Sequence, residues 1–248
     1  MIPFARIVAA AGAALVLVSA GPARAAEDAK RPEFERMLKD YLAQHPEAIQ
    51  EALDTLAARK AAAKAEQQMA TIQANGSELF SSPRQVTLGN RQGDVTLVEF
   101  FDYNCGYCKR ALADLLDLMK TDPRLKVVLK EYPILGPGSV ESARVAVAVR
   151  MQDAGGARYL EFHRQLLENR GHNDKARALA VAQEVGLDMA RLERDMASEE
   201  VGRSIDESTR LAKALAINGT PGYVVGKTVI VGALGEQVLK EKIAAARN

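Results

Sequence analysis

Cysteine is nearly absent from this chain of 248 residues, which has only two. Both belong to one Cys-x-x-Cys motif, formed by Cys105 and Cys108. A framework of disulfides between distant segments is therefore excluded, and a bridge across two intervening residues would close almost no loop. The pair follows an apolar, strand-like run and precedes a helix-like run. This position is typical of a redox-active dithiol.

The chain also lacks an excess of charge of either sign. It has 33 Lys and Arg against 32 Asp and Glu, a formal net charge of +1. Because no basic excess is available to neutralise phosphates, we expect no nucleic-acid partner. The three histidines are scattered and form no metal set with the cysteines, and no cofactor is indicated. We expect one of them, His163, to pack at a helix surface.

Long apolar runs are missing after residue 25, where no segment approaches the roughly 20 residues of a membrane span. Before that point, Arg6 precedes the apolar run Ile7–Ala20, and Ala23-Arg24-Ala25 offers small residues for cleavage. This pattern predicts a secretory signal peptide over residues 1–25, cleaved after Ala25. A short membrane anchor is the alternative. Export would place the protein in the periplasm, where dithiols can become oxidised.

Residues 26–76 are expected to form a helical N-terminal region, with helix predicted from about Arg31 to Gln73. Apolar residues recur there at spacings of three and four, which places them on one helix face. They are Phe34, Met37, Leu38, Tyr41, Leu42, Ile49, Leu53 and Leu56. So narrow a stripe cannot form its own core. We therefore expect residues 33–56 to mediate a homo-oligomer, with the alanine-rich residues 57–74 as a spacer. Docking of these helices on the main domain is the alternative.

Residues 77–248 are expected to form one α/β domain. An apolar strand at Val95–Phe101, a helix from about Cys105 to Lys120 and a strand at Leu125–Tyr132 make a βαβ unit with parallel pairing. A nearly all-helical block follows over about residues 139–215. A hairpin pattern and a final helix complete the order βαβ, helical block, ββα.

The position of Cys105 at a helix N-terminus favours negative charge on its sulfur, because the helix dipole and free N–H groups point there. We expect this sulfur to be exposed, to have a lowered pKa and to attack disulfides as the thiolate. Cys108, one turn further on, would then attack the mixed disulfide and release the substrate. The intervening Gly106 and Tyr107 would tune the redox potential.

Glu99 and the Thr220-Pro221 dipeptide complete the candidate site. An acid inside an apolar strand has a raised pKa because burial disfavours its charge. Glu99 could therefore accept the proton of Cys108, and a carboxylate facing solvent is the alternative. Thr220-Pro221 lies in a sharp turn before a strand, where cis peptide bonds occur. A cis bond would expose the Thr220 backbone to a peptide, and an ordinary trans turn is the alternative.

Three separated motifs resemble the DsbA-like branch of the thioredoxin superfamily. They are residues 98–108 (VEFFDYNCGYC), 131–136 (EYPILG) and 219–223 (GTPGY). The resemblance covers about residues 77–248. It implies a thioredoxin fold with an inserted helical subdomain and an N-terminal helical extension. Residues 37–49 resemble the extension of the ScsC group (suppressor of copper sensitivity C), which can mediate oligomers.

The resemblance implies a role for each motif residue. Cys105 corresponds to the nucleophile, Cys108 to the resolving cysteine and Glu99 to the buried strand acid, while Pro221 corresponds to the cis-proline. The resemblance also implies that Thr220, before this proline, contacts substrate, and we expect Pro221, Gly106 and Tyr107 to contact it as well. The DsbA oxidase has Pro-His between its cysteines and Val before the proline. The Thr of this chain is more similar to the disulfide isomerases.

The sequence therefore favours an exported thiol–disulfide oxidoreductase, a disulfide isomerase or reductase acting on misoxidised or unfolded proteins. A membrane-bound thiol reductase would be its redox partner and would return the pair to the reduced dithiol. A DsbA-type oxidase is one alternative. Another is a periplasmic Cu(I) carrier with Cys105 and Cys108 as soft ligands, although a Met- or His-rich copper loop is lacking. A structural adaptor with a vestigial dithiol is a third.

Overall fold

The structure is a computed structural model that describes residues 22–153 and 156–247, with the backbone alone for residues 22–30. Most of the predicted signal peptide, residues 1–21, lies outside the described residues. The chain divides into two compact units between Arg59 and Lys60. The end of the predicted N-terminal region belongs to the second unit, where Ile72 is buried among core residues.

The first unit contains helix α1 (Pro22–Gln44) and the beginning of helix α2 (Pro46–Ala74). Pro46 occupies the first position of α2, where its missing N–H costs no helical hydrogen bond. Leu42 of the predicted stripe is half-buried, whereas its other seven residues have exposed fractions between 43% and 61%. They are Phe34, Met37, Leu38, Tyr41, Ile49, Leu53 and Leu56. The two helices thus present an apolar face to solvent.

The second unit is built on a five-stranded mixed sheet. Its strands are β1 (Val86–Gly89), β2 (Val95–Phe101), β3 (Leu125–Glu131), β4 (Gly222–Val225) and β5 (Thr228–Val231), in the order β1-β3-β2-β4-β5. Strands β2 and β3 pair in parallel, and the other three pairs are antiparallel. The central strands β2, β3 and β4 are buried along nearly their whole length, because both faces of the sheet are covered.

Helices follow in the predicted order. After the short helix α3 (Gly76–Phe80), helix α4 (Gly106–Thr121) connects β2 to β3. Among the described residues, five helices lie between β3 and β4: α5 (Pro137–Gln152), α6 (Ala157–Glu168), α7 (Lys175–Glu184), α8 (Met189–Met196) and α9 (Glu199–Ala214). Helix α10 (Glu236–Ala246) follows β5. The thioredoxin fold with a helical insertion is confirmed. In the described part of the chain, no helix combines the length and apolarity that a membrane span requires.

The central strand β2 supplies both faces of the core. Leu97 and Phe101 belong to the cluster that contains Leu115 of α4, whereas Val98 and Phe100 belong to a second cluster. Because side chains alternate along a strand, Glu99 points to the same face as Leu97 and Phe101. The buried acid and the helix that carries the dithiol therefore share one face of the sheet.

Candidate active site

Cys105 is the N-cap residue of α4, as its position in the sequence predicts. The expectation that it is exposed is wrong, since only 5% of the residue is accessible. Its Sγ lies 3.1 Å from the carbonyl oxygen of Thr220, to which the protonated thiol donates. The turn before β4 therefore contacts the sulfur directly, a contact that the sequence around Cys105 does not reveal.

The two sulfurs have opposite protonation preferences. The pKa of Cys105 is lowered to about 5, first by the hydrogen bond from the Cys108 thiol, against burial. The Thr220 side chain and the backbone N–H groups of Cys108 and Tyr107 lower it further. Cys108 is fully buried, and burial raises its pKa far above the ordinary value, as do its bond to Cys105 and the charge of Glu99. The site thus holds one thiolate beside one protonated thiol.

Glu99 is 3% exposed, so the solvent-facing alternative is wrong. Burial raises its pKa to about 8, and the negative charges of Cys105 and Asp114 add to this effect. A hydrogen bond from Tyr223 opposes the shift. Its Oε2 has no hydrogen-bond partner among the described residues. The carboxyl is thus poised near neutrality, and its role as a proton acceptor stays a prediction.

The remaining predicted residues also meet at Cys105. The Thr220–Pro221 peptide bond is cis, as expected. Gly106 and Tyr107 are exposed in the first turn of α4, and the Tyr107 ring lies 4.3 Å from the Arg110 guanidinium carbon. The helix N-terminus and the turn before β4 thus form the two sides of the site.

The sequence analysis did not identify Asp102 as a site residue, yet its carboxylate holds the loop before Cys105 through hydrogen bonds. It is 1% exposed. Oδ1 accepts hydrogen bonds from the Asn104 N–H (2.8 Å) and the Ser139 hydroxyl (2.7 Å), and Oδ2 accepts from the N–H groups of Ile134 (2.8 Å) and Leu135 (3.0 Å). We call this set the Asp102 clasp. An acid directly after an apolar strand is the signal that could have revealed it.

The Asn104 side chain extends the same loop towards the helical insertion. Its Oδ1 accepts from the backbone N–H of Asn173 at 2.7 Å, and its Nδ2 donates to the Asn173 carbonyl at 2.9 Å. Asn173 in turn donates from Nδ2 to the Tyr103 carbonyl at 2.8 Å. These reciprocal bonds anchor the residues before Cys105 to the segment between α6 and α7.

A second buried acid, Glu131, lies near the site within a cluster of aromatic residues. Tyr159 donates to it at 2.6 Å and Tyr103 at 3.4 Å, and burial raises its pKa well above the usual range. His163 reaches the Tyr103 hydroxyl at 3.4 Å and is 1% exposed, so its expected place at a helix surface is wrong. Burial lowers its pKa to about 3, which keeps it neutral. Glu131 ends β3 directly after Lys130, so the sequence carries a weaker signal for it than for Glu99, which lies inside an apolar strand.

Metal binding has limited support in this geometry. Within the residues that the structure describes, no group of three or more His, Cys, Asp or Glu side chains could hold a metal ion. The Cu(I) alternative rests on the sulfurs of Cys105 and Cys108.

A thioredoxin fold with this dithiol at a helix N-terminus, opposite a cis-proline turn, defines the class of thiol–disulfide oxidoreductases. Comparison with known families then identifies the branch. Residues 96–244 match the family of DSBA-like thioredoxin domains, and the chain belongs to this family.

Solved structures agree with this assignment. A thioredoxin-like oxidoreductase from Silicibacter pomeroyi DSS-3 is 43% identical in sequence, with a TM-score of 0.65. The match covers 69% of this chain and 96% of that protein's chain. The thiol-disulfide exchange protein alpha-DsbA2 from Wolbachia pipientis is 26% identical, with coverages of 74% and 97% and a TM-score of 0.68. A linker-deletion mutant of ScsC from Proteus mirabilis covers 92% and 98%, with a TM-score of 0.67. Its identity of 21% supports the fold alone.

Curated relatives include proteins of two kinds. The thiol:disulfide interchange protein DsbA of Bordetella pertussis is 26% identical over 158 residues, which are 62% of this chain and 74% of that protein. The Na(+)/H(+) antiporter NhaA 1 of Salinispora arenicola is 26% identical over 160 residues, or 64% of this chain. The match spans only 24% of that antiporter's length.

Proposed function

We propose that this protein is an exported disulfide isomerase or reductase of misoxidised or unfolded proteins. The observation that carries the proposal is the position of Cys105 at the N-terminus of α4, with its sulfur 3.1 Å from the carbonyl oxygen of the cis-proline turn. In this position its pKa is lowered to about 5, while Cys108 stays protonated. At neutral pH the sulfur of Cys105 is ionised and can attack a disulfide. Stabilisation of the thiolate also favours the dithiol over the disulfide form, which weakens the pair as a reductant. This suits an isomerase, because its cycle begins and ends with the dithiol.

The first step forms a mixed disulfide. The Cys105 thiolate attacks one sulfur of a client disulfide, a new S–S bond forms, and the other client sulfur leaves as a thiolate. In isomerisation a client thiolate, either this one or another, finally attacks the mixed disulfide and forms a new disulfide within the client. Cys105 is released as a thiolate, so neither the client nor the protein gains or loses electrons.

In reduction, Cys108 completes the cycle. Its proton passes to Glu99, its sulfur bonds to the sulfur of Cys105, and the client leaves with the electron pair. The client has then gained two electrons, and the protein holds a Cys105–Cys108 disulfide. We propose that a membrane-bound thiol reductase returns these electrons by a second dithiol exchange.

Residues beside the dithiol support a protein client. Thr220 presents its carbonyl to the Cys105 sulfur, and the side chain of Tyr107 is 58% exposed. We propose that a client peptide lies along Thr220 and Pro221 and contacts Gly106 and Tyr107. The Thr before the proline, where the DsbA oxidase has Val, favours an isomerase over an oxidase. Export to the periplasm is supported by the pattern of residues 1–25.

We also propose a homo-oligomer formed through residues 33–56. The large apolar side chains that α1 and α2 leave exposed at helical spacing support it, because exposed apolar surface marks interaction sites. An isomerase gains from association, since several dithiols can then act on one client.

Refolding of scrambled ribonuclease tests the proposal. The wild-type protein should accelerate recovery of ribonuclease activity, and Cys105→Ser should lower the rate to that without enzyme. Cys108→Ser should keep reshuffling but lose catalytic reduction of insulin, because it cannot resolve mixed disulfides. Full activity of Cys105→Ser would refute the proposal. Faster oxidation of reduced ribonuclease than repair of the scrambled form would instead favour the oxidase alternative.

A further inference from the structure

Tyr223 lies directly opposite Glu99 in the antiparallel pairing of β2 and β4. Opposed residues in such a pair project from the same face of the sheet, with Cβ atoms about 4.5–5.5 Å apart. Both residues are buried, at 1% and 3% exposure. Tyr223 also belongs to the core cluster that contains Cys105 and Cys108. The phenol therefore lies beside the carboxyl that we propose as the acceptor of the Cys108 proton.

The side chains around Glu99 offer little to stabilise its ionised form, which makes the neighbouring Tyr223 important. Helix α4 contributes Cys105, Cys108 and Asp114, each of which is neutral or negative, and β4 contributes Tyr223. Glu131 of β3 shares the face and is itself bonded to Tyr159 and Tyr103. A buried carboxylate is costly unless donors satisfy it. The Tyr223 phenol, opposite Glu99 in the strand register, is placed to be such a donor and lowers the pKa of Glu99. Oε2 of Glu99 has no partner in the described part of the chain.

We propose that Tyr223 is a positioning residue for the resolving step, holding the ionised Glu99 carboxylate ready to take the Cys108 proton. This inference rests on the proposed function of the dithiol. In the mixed disulfide Cys105 carries no charge, so one of the influences that keep Glu99 protonated is gone. Glu99 then ionises more readily at the stage when a base is needed. Without the phenol, ionised Glu99 would lose a charge-assisted hydrogen bond.

The electron and proton balance of that step is simple. The proton of the Cys108 thiol moves to the Glu99 carboxylate, and a bond forms between the Cys108 and Cys105 sulfurs. The bond between Cys105 and the leaving sulfur breaks, and that sulfur departs with the electron pair. Tyr223 keeps its own proton throughout.

The test uses the full-length reduced protein and dithiobis(nitrobenzoate), an aromatic disulfide whose thiolate is coloured. The first release of colour reports attack by Cys105, and the second reports attack by Cys108 on the mixed disulfide. Tyr223→Phe keeps the ring and removes only the hydroxyl. We expect the second release to slow roughly tenfold at neutral pH, and its pH midpoint to rise by about one unit, since a hydrogen bond to a charge is lost. The first release should change less.

Two controls separate positioning from general loss of structure. Tyr132→Phe removes another buried hydroxyl, which donates to the Ile217 carbonyl at 3.2 Å in the second core cluster. It should leave the pH midpoint of the second release unchanged. In a Glu99→Gln background, Tyr223→Phe should cause no further slowing.

An unshifted midpoint in Tyr223→Phe, or equal slowing with and without Glu99, would overturn the proposal. The reagent requires no protein client, so the two proposals fail separately. Loss of the ribonuclease effect with intact two-step colour release would refute only the isomerase function.

Discussion

The Sγ of Cys105 lies 3.1 Å from the carbonyl oxygen of Thr220, although 115 positions separate the two residues in the chain. The nucleophile is therefore in contact with the backbone that we propose for client binding. A peptide that pairs with the chain at Thr220 would bring its own disulfide close to the sulfur. This contact joins the N-terminus of α4 to the turn before β4.

The ionisation of Cys105 can be measured through its alkylation. The rate of reaction of the reduced protein with iodoacetamide should rise with pH around a midpoint of about 5. Cys108→Ala should raise this midpoint by about one to two units, because the largest stabilising hydrogen bond is lost. Cys108→Ser keeps a donor and should raise it less. A wild-type midpoint near that of a free thiol would contradict the proposed chemistry.

The stability of the reduced protein should depend on pH through Glu99. Its folded pKa of about 8 exceeds the ordinary 4.5. The folded state therefore binds more protons between these values, and stability falls as pH rises through that window. Glu99→Gln removes this dependence.

Urea unfolding at a series of pH values measures the effect. The free energy of unfolding of the variant, relative to that of the wild type, should rise from pH 4.5 upwards and level off above pH 8. Each unit of difference between the folded and unfolded pKa corresponds to about 1.4 kcal/mol in the free energy of unfolding. Parallel curves for the two proteins would show that Glu99 is not buried as an acid.

The Asp102 clasp should contribute measurably to stability. Asp102→Asn keeps the shape but places an NH₂ group against N–H or O–H donors, so two of the four bonds are lost. We expect a loss of about 2–3 kcal/mol in the free energy of unfolding. Urea unfolding of the oxidised protein checks this value, with the exposed Asp117→Asn as the matched control. Equal midpoints for the two variants would mean that the clasp contributes little.

The apolar face of α1 and α2 should control the oligomeric state. Leu53→Glu together with Leu38→Glu places charges in that face, so the mass per particle should fall to that of one chain. Thr55→Glu adds one such charge at another exposed position of α2 and should leave the mass per particle unchanged. Light scattering gives the mass directly. A monomeric wild type, or an unchanged mass in the double variant, would reject the assembly.

Much of the fold could be predicted because its signals are local. The apolar runs of β2 and β3 flank the periodic pattern of α4, and a βαβ unit of this kind pairs its strands in parallel. The Cys-x-x-Cys spacing placed Cys105 at the beginning of that helix. Glu99 was recognisable because its neighbours in the strand are apolar.

The sequence by itself therefore determined the helices and strands, the helix-terminal position of Cys105 and the candidate acid, since each depends on residues within a few positions. Only the tertiary structure decided what surrounds them. The contact of Thr220 with Cys105, the register of Tyr223 opposite Glu99 and the interior position of His163 depend on segments that are distant in the chain. Strand register and packing bring those segments together, and neither can be read from the local periodicity of apolar residues in the sequence.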